Sequence, residues 1–176
     1  MSGVQIRSIL EIPLAQRRHM WITSNQQPGL FSSKQIRLLN HREEETATFR
    51  VGDGVIFEMI LETTEHKLNS ARLYIGIYDS QERYIFRFGT DFMVAEPLKI
   101  AGRNLVHCYW DTCRLVPGIY SMILTLKEPE PSNTKLDKIV DAMAFEVRPA
   151  DIYGTGRFDK EAGLVIPEGR WELSPI

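Results

Sequence analysis

Four histidines (His19, His41, His66, His107), two cysteines (Cys108, Cys113) and the run Glu43-Glu44-Glu45 are the side chains of this 176-residue chain from which metal or nucleophilic chemistry would be built. Their spacing supports neither. The histidines are scattered, and zinc on the two cysteines would need two further ligands that no neighbouring cluster supplies. If Cys108 and Cys113 share one strand, their Cα atoms stand about 16 Å apart at ~3.3 Å per residue. A disulfide needs less than about 7 Å, so two unpaired thiols are expected, as suits a reducing compartment. The three glutamates read as a solvated turn. Gly154-Thr155-Gly156 lacks a strand–helix context and reads as a turn, not a phosphate cradle. The sequence holds no G-x-x-x-x-G-K-[ST], G-x-S-x-G, H-E-x-x-H or EF-hand loop. No catalytic residue, metal ligand or cofactor is therefore expected. Glycosidase carboxylates have no fixed spacing, so a carbohydrate-active enzyme on a β-scaffold stays open as a third reading.

Composition narrows the classes further. The chain is 43% hydrophobic and 25% charged, ordinary for a globular protein. Its net charge is −2, from 21 basic and 23 acidic residues. A nucleic-acid binder held by phosphate contacts needs a basic excess, so that class is set aside; a neutral ligand such as a sugar is not. No apolar run reaches the roughly 18 residues of a membrane span. Residues 1–15 lack the apolar core of a signal peptide, and a cytoplasmic domain is expected. One domain of this length buries roughly 70% of its unfolded surface.

The elements that must position any site are short apolar alternations between turn residues, the pattern of an all-β sandwich. Residues 34–40 and 46–51 flank the charged turn 41–45. After the turn Gly52-Asp53-Gly54, Val55, Phe57, Met59 and Leu61 share a core face, with Glu58 and Glu62 opposite. In 71–79, Leu73, Ile75 and Ile77 point inward, while Arg72, Tyr74, Gly76 and Tyr78 point out. The turn 79–82 leads to a hairpin partner with Tyr84, Phe86 and Phe88 on one face. A loop with Pro97 and Gly102 follows. In 104–114, Val106, Cys108 and Trp110 face the core, and His107, Tyr109 and Asp111 face away. At Pro117-Gly118, proline presets φ and glycine is expected at a positive φ. Tyr120, Met122, Leu124 and Leu126 then alternate inward. Residues 136–142 fit a helical turn or an extended approach, and Phe145 and Val147 sit on a last strand. Residues 1–30 read as an N-terminal extension or linker, 31–150 as the sandwich, and 151–176 as a glycine-rich tail.

Phe49-Arg50-Val51-Gly52-Asp53, Ile75-Gly76-Ile77-Tyr78-Asp79, Leu115-Val116-Pro117-Gly118-Ile119-Tyr120, Ala144-Phe145-Glu146-Val147 and a tail ending near Trp171 follow one another in a familiar order. Over residues 31–171 the chain resembles the C-terminal carbohydrate-binding domain of Wzt-type ATPase subunits of polysaccharide ABC transporters. The resemblance implies an immunoglobulin-like antiparallel β-sandwich. It implies recognition of a lipid-linked O-antigen polysaccharide at the cytoplasmic face of the inner membrane. A nucleotide-binding domain and a membrane permease would be the transporter partners. It also implies a homodimer, with the C-terminal segment exchanged between protomers. The ATPase half of such subunits is missing from this sequence, so ATP hydrolysis is not expected of it.

A sugar site pairs an aromatic face with surrounding hydrogen-bonding groups. The outward set Arg72, Tyr74, Tyr78 and Arg87 is the first candidate, with the tyrosines stacking and the arginines donating. His107 and Tyr109 form a second set. Each outward tyrosine also has a plainer reading as a cross-strand packing partner, a role worth ~0.2–1 kcal/mol. Trp110 belongs with the core, and Tyr120 resembles a tyrosine-corner residue. Trp171 closes the core, packs on a second protomer or, as a third choice, serves as a sugar platform. The competing function is a protein-interaction or oligomerisation domain whose outer tyrosines are hot spots.

Overall fold

A computed structural model describes residues 31–63, 68–157, 163–168 and 171–173; the extension 1–30 lies outside them. Among the described residues nine strands and one short helix follow in order: β1 (Phe31–Leu39), β2 (Thr48–Arg50), β3 (Val55–Thr63), β4 (Leu68–Asp79), β5 (Tyr84–Gly89), α1 (Thr90–Met93), β6 (Leu98–Ile100), β7 (Arg103–Trp110), β8 (Gly118–Lys127) and β9 (Lys135–Arg148). They form a three-stranded sheet, β1-β3-β7, and a six-stranded sheet, β2-β9-β8-β4-β5, with β6 paired to β4. All pairings are antiparallel except β2 with β9. The architecture is the expected β-sandwich.

Period-two alternation places the core between the sheets. Val55, Phe57, Met59 and Leu61 of β3 are buried, as are Leu73, Ile75 and Ile77 of β4. Tyr120, Met122, Leu124 and Leu126 of β8 join them, with Phe145 and Val147 of β9. Each such large apolar side chain contributes roughly 1.5–3 kcal/mol of transfer free energy. Aromatic contacts knit one side of the core: Phe57 meets Phe88 at 5.5 Å, and Trp110 meets Phe86 at 5.3 Å and Phe88 at 5.6 Å between centroids. Trp110 is thus half-buried and packs against the core. Tyr120 is a tyrosine corner: its hydroxyl donates to the Val116 carbonyl at 2.8 Å, and burial pushes its pKa up to about 12.

The turns have chemical causes. Asn40 Oδ1 accepts from the amides of Arg42 and Glu44, so the acidic run is a capped turn. Gly52 takes φ +93, a region that favours glycine. Asp79 Oδ1 accepts from the amides of Gln81 and Arg83, and its other oxygen from Arg83 Nε at 2.7 Å. Burial raises the Asp79 pKa, but these hydrogen bonds outweigh it and hold the carboxyl below its ordinary value.

Three expectations need correction, and of the two readings of residues 136–142 the extended one holds. A bulge between Ile77 and Tyr78 pairs Phe86 with Ile77 but Tyr84 with Tyr78. The extra residue turns Tyr84 away from the Phe86 face and leaves it 55% exposed. Gly118 is not among the positive-φ residues; it opens β8 beneath the Tyr120 ring, which lies 3.6 Å from where a Cβ would stand. Residues 136–142 are strand, with Asp141 at φ +51 inside the register shift opposite Ile123. β7 ends at Trp110, so Cys113 lies beyond it; both cysteines are free thiols.

Candidate functional site

β4 carries the first candidate set on its outer face, because burying Leu73, Ile75 and Ile77 sends Arg72, Tyr74, Gly76 and Tyr78 the other way. Gly89 stands opposite Tyr74, and Arg87 opposite Gly76. A Cβ on Gly89 would fall 2.6 Å from the Phe92 ring and 3.0 Å from Tyr74, so only glycine lets α1 fold down onto Tyr74. The helix is held there by Thr90: its hydroxyl accepts from the Leu73 amide at 3.0 Å, and its carbonyl accepts from Arg72 Nη1 at 3.0 Å.

The result is a compact polar cluster. Tyr74 Oη donates to Asp91 Oδ2 at 3.2 Å, and Arg87 Nη2 lies 3.6 Å from the same oxygen. The Arg87 guanidinium sits 4.8 Å from the Tyr74 ring centre and 5.9 Å from that of Phe92. Lys127 Nζ approaches Tyr74 at 5.7 Å. These are cation–π distances. Burial, then the negative charge and hydrogen bond of Asp91, push the Tyr74 hydroxyl above its usual pKa, so it remains a donor at neutral pH. Tyr78 stands four residues further along the same face, about 13 Å by strand rise. Its ring lies over Gly76 and meets Tyr84 at 5.6 Å, edge to face.

Arg72, Tyr74 and Arg87 are therefore brought together, with Tyr78 beside them in the same row. Because Arg87 occupies the Tyr74 ring, the accessible rings of the row are Tyr84 and Phe92, each more than half exposed. Sequence reasoning missed Asp91, Phe92 and Lys127, and it placed Tyr84 on the wrong face. Nothing in the local pattern signals α1, and Lys127 reaches Tyr74 only through the β4–β8 register.

His107 and Tyr109 lie on the other sheet. Arg37, Glu58 and His107 occupy opposite register positions on β1, β3 and β7. Arg37 Nε donates to Glu58 Oε1 at 2.7 Å, His107 Nε2 lies 2.9 Å from Glu58 Oε2, and Tyr109 Oη lies 3.3 Å from His107 Nδ1. Burial alone would raise the Glu58 pKa. The His107 and Arg37 hydrogen bonds and charges outweigh it and hold the carboxyl below the ordinary value of 4.5. Glu58, an outward residue by alternation, is thus a buried acceptor pinned from both sides, which unsuits it to act as a proton donor.

Between the open edges at β5 and β7 lies a cavity of about 270 Å³, walled by Leu73, Ile75, Phe88, Met93, Val106 and Cys108, with His107 and Tyr109 also lining it. Burial pushes the Cys108 thiol up to about 11, so it is protonated at neutral pH and is no nucleophile. Among the described residues no group of three or more His, Cys, Asp or Glu is placed to hold a metal ion. In the tail, Asp151 accepts from the amides of Thr155 at 3.1 Å and Gly156 at 2.6 Å. The glycine turn is filled by its own carboxylate, which leaves no cradle for phosphate. Among the described residues no helix is long and apolar enough to cross a membrane.

Residues 33–162 match a family model described as the Wzt C-terminal domain. Among solved structures, the crystal structure of the C-terminal domain of Wzt superposes with a TM-score of 0.65 at 12% identity, covering 92% of this chain and all of that one. At that identity the likeness speaks for the fold. A β-glucuronidase from Parabacteroides merdae aligns over 68% of this chain and 14% of its own, at 17% identity and a TM-score of 0.43. The alkylpurine DNA glycosylase AlkC of Pseudomonas fluorescens aligns over 68% and 31%, at 11% identity and 0.40. Neither of the last two is close enough to carry an argument. No curated protein matches the sequence.

Proposed function

Because the chain belongs to the Wzt C-terminal domain family, we propose that it is a non-catalytic module that recognises a lipid-linked O-antigen polysaccharide at the cytoplasmic face of the inner membrane, for export by an ABC transporter. Its partners in that reading are the transporter's nucleotide-binding domain and membrane permease, and a second copy of itself. The observation that carries the glycan part is the outer row on β4 and β5. Along one strand direction the paired rings Tyr78 and Tyr84 are followed by Arg87, Tyr74 and Arg72. A linear polymer meets such a row lengthwise, its apolar ring faces on the accessible Tyr84 and Phe92 rings and its hydroxyls toward the guanidinium groups. His107 and Tyr109 remain the second candidate surface, on the opposite sheet.

The test is a titration against a panel of purified O-antigen-type polysaccharides, with Tyr74→Ala and Tyr78→Ala alongside. Selective binding to one repeat unit is expected, weakened by about tenfold or more in each variant. The melting temperatures should hardly move, since outer cross-strand pairs are worth only ~0.2–1 kcal/mol. Glycan indifference in a folded protein that self-associates strongly would instead favour a protein-interaction domain.

A further inference from the structure

Resting on the reading of this outer face as a glycan platform, we propose that the glycan it takes is anionic: a saccharide bearing carboxylate or phosphate groups, held by Arg72, Arg87 and Lys127. The register is the reason. Arg72 of β4 stands directly opposite Lys127 of β8, and Lys127 stands opposite Lys135 of β9. One step along, Tyr74 pairs with Thr125 and Thr125 with Lys138. Three cations thus occupy matched positions on successive strands, with a fourth beside them, in a chain whose net charge is −2. Like charges directly opposite one another destabilise a sheet, and an unliganded solvated face would gain by alternating their signs.

Asp91 offsets the charge of Arg87, and the like-charged register pair Arg72–Lys127 stands beside it. Asp91 is engaged by Arg87 and the Tyr74 hydroxyl. Arg87 and Lys127 both converge on the Tyr74 ring. The tyrosine, anchored through Asp91, holds two cations at a fixed place on a flat surface. Arg72 and Lys127, directly opposite on neighbouring strands, set a guanidinium beside an ammonium, a geometry for a carboxylate or phosphate oxygen pair, and Arg87 flanks them across the Tyr74 ring. Tyr74 then acts as the organiser of the cations, while Tyr84 and Phe92, the accessible rings of the row, meet the sugar rings. An anion bound here removes the cross-strand repulsion, so binding and sheet stability are linked.

The experiment compares oligogalacturonate with its methyl-esterified, neutral form of the same length, and adds vesicles containing anionic phospholipid. Wild type and the Arg87→Gln/Lys127→Gln double variant are titrated in parallel, with far-ultraviolet circular dichroism as the folding control. Wild type should prefer the acid form by about tenfold or more, the preference shrinking in high salt and falling below about threefold in the double variant. Equal binding of acid and ester by wild type would overturn the anionic assignment and leave the glycan platform standing. Uptake on vesicles with no binding of either oligosaccharide would make the patch a membrane contact and overturn it. Binding of none of the three would overturn it as well, and the neutral members of the polysaccharide panel would then decide the glycan reading separately.

Discussion

Tyr120 uses its ring and its hydroxyl for different partners. The ring stacks on Phe145 at 5.7 Å, and the hydroxyl donates to the Val116 carbonyl four residues upstream. Replacing it with phenylalanine keeps the burial and removes the donor, leaving the carbonyl of a tight turn without that partner. The expected cost is about 1 kcal/mol, the net value of a typical hydrogen bond. Urea unfolding should show a lower midpoint at unchanged slope, with glycan affinity equal to wild type. Lost affinity in a fully folded Tyr120→Phe protein would mean that the corner shapes the binding face. The same residue-level reasoning separates Tyr120 from Tyr74, whose hydroxyl serves an exposed carboxylate on the outer surface.

At the scale of elements, the ladder Arg37–Glu58–His107 ties the three strands of the smaller sheet together. The folded Glu58 carboxyl ionises more readily than the unfolded one, so the unfolded chain binds more protons as pH falls below about 4.5. The stabilisation is present above that value and is lost progressively below it, as pH falls through the folded-state pKa. Wild type should therefore lose melting temperature more steeply than Glu58→Gln between pH 5 and 3 by roughly the contribution of this one group, a window set by the ordinary glutamate range. Parallel slopes would mean that Glu58 gains nothing from its partners. The ladder also marks where sequence reading stops. Alternation located the core faces of β3, β4 and β8, because burial demands period two. It placed Arg72, Tyr74 and Tyr78 on a common outer face for the same reason. It could not supply register, which decides that Glu58 meets Arg37 and His107, or that Lys127 meets Arg72. Bulges escaped it too: the irregularity at Ile77/Tyr78 that turns Tyr84 outward, and the one at Asp141 in β9, insert a residue without any local signature. α1 is four residues long, too short for periodicity to announce it, yet it supplies Asp91 and Phe92.

At the scale of the whole molecule, the tail raises the question of partners. It is fastened to the sandwich as far as Glu168: Val165 bridges Leu115, the Ile166 amide donates to the Arg114 carbonyl at 2.7 Å, and Arg114 pairs with Glu168 at 3.4 Å. Beyond that point Trp171 is 102% and Leu173 100% exposed, so Trp171 does not close the core of its own chain. Two large apolar side chains two residues apart thus stand in water. Burying each against a second copy would gain about 2 kcal/mol, and that is the basis for expecting the tail to hold a homodimer together. Sedimentation equilibrium should find wild type dimeric, and Trp171→Ala/Leu173→Ala weaker in self-association by about a hundredfold or more. Trp171 fluorescence should shift to the red on dilution of wild type as its ring returns to water. The sandwich unfolding transition, followed at a dilution where both proteins are monomeric, should coincide in the two, because neither side chain touches the core. A dimer indifferent to both substitutions would place its interface elsewhere.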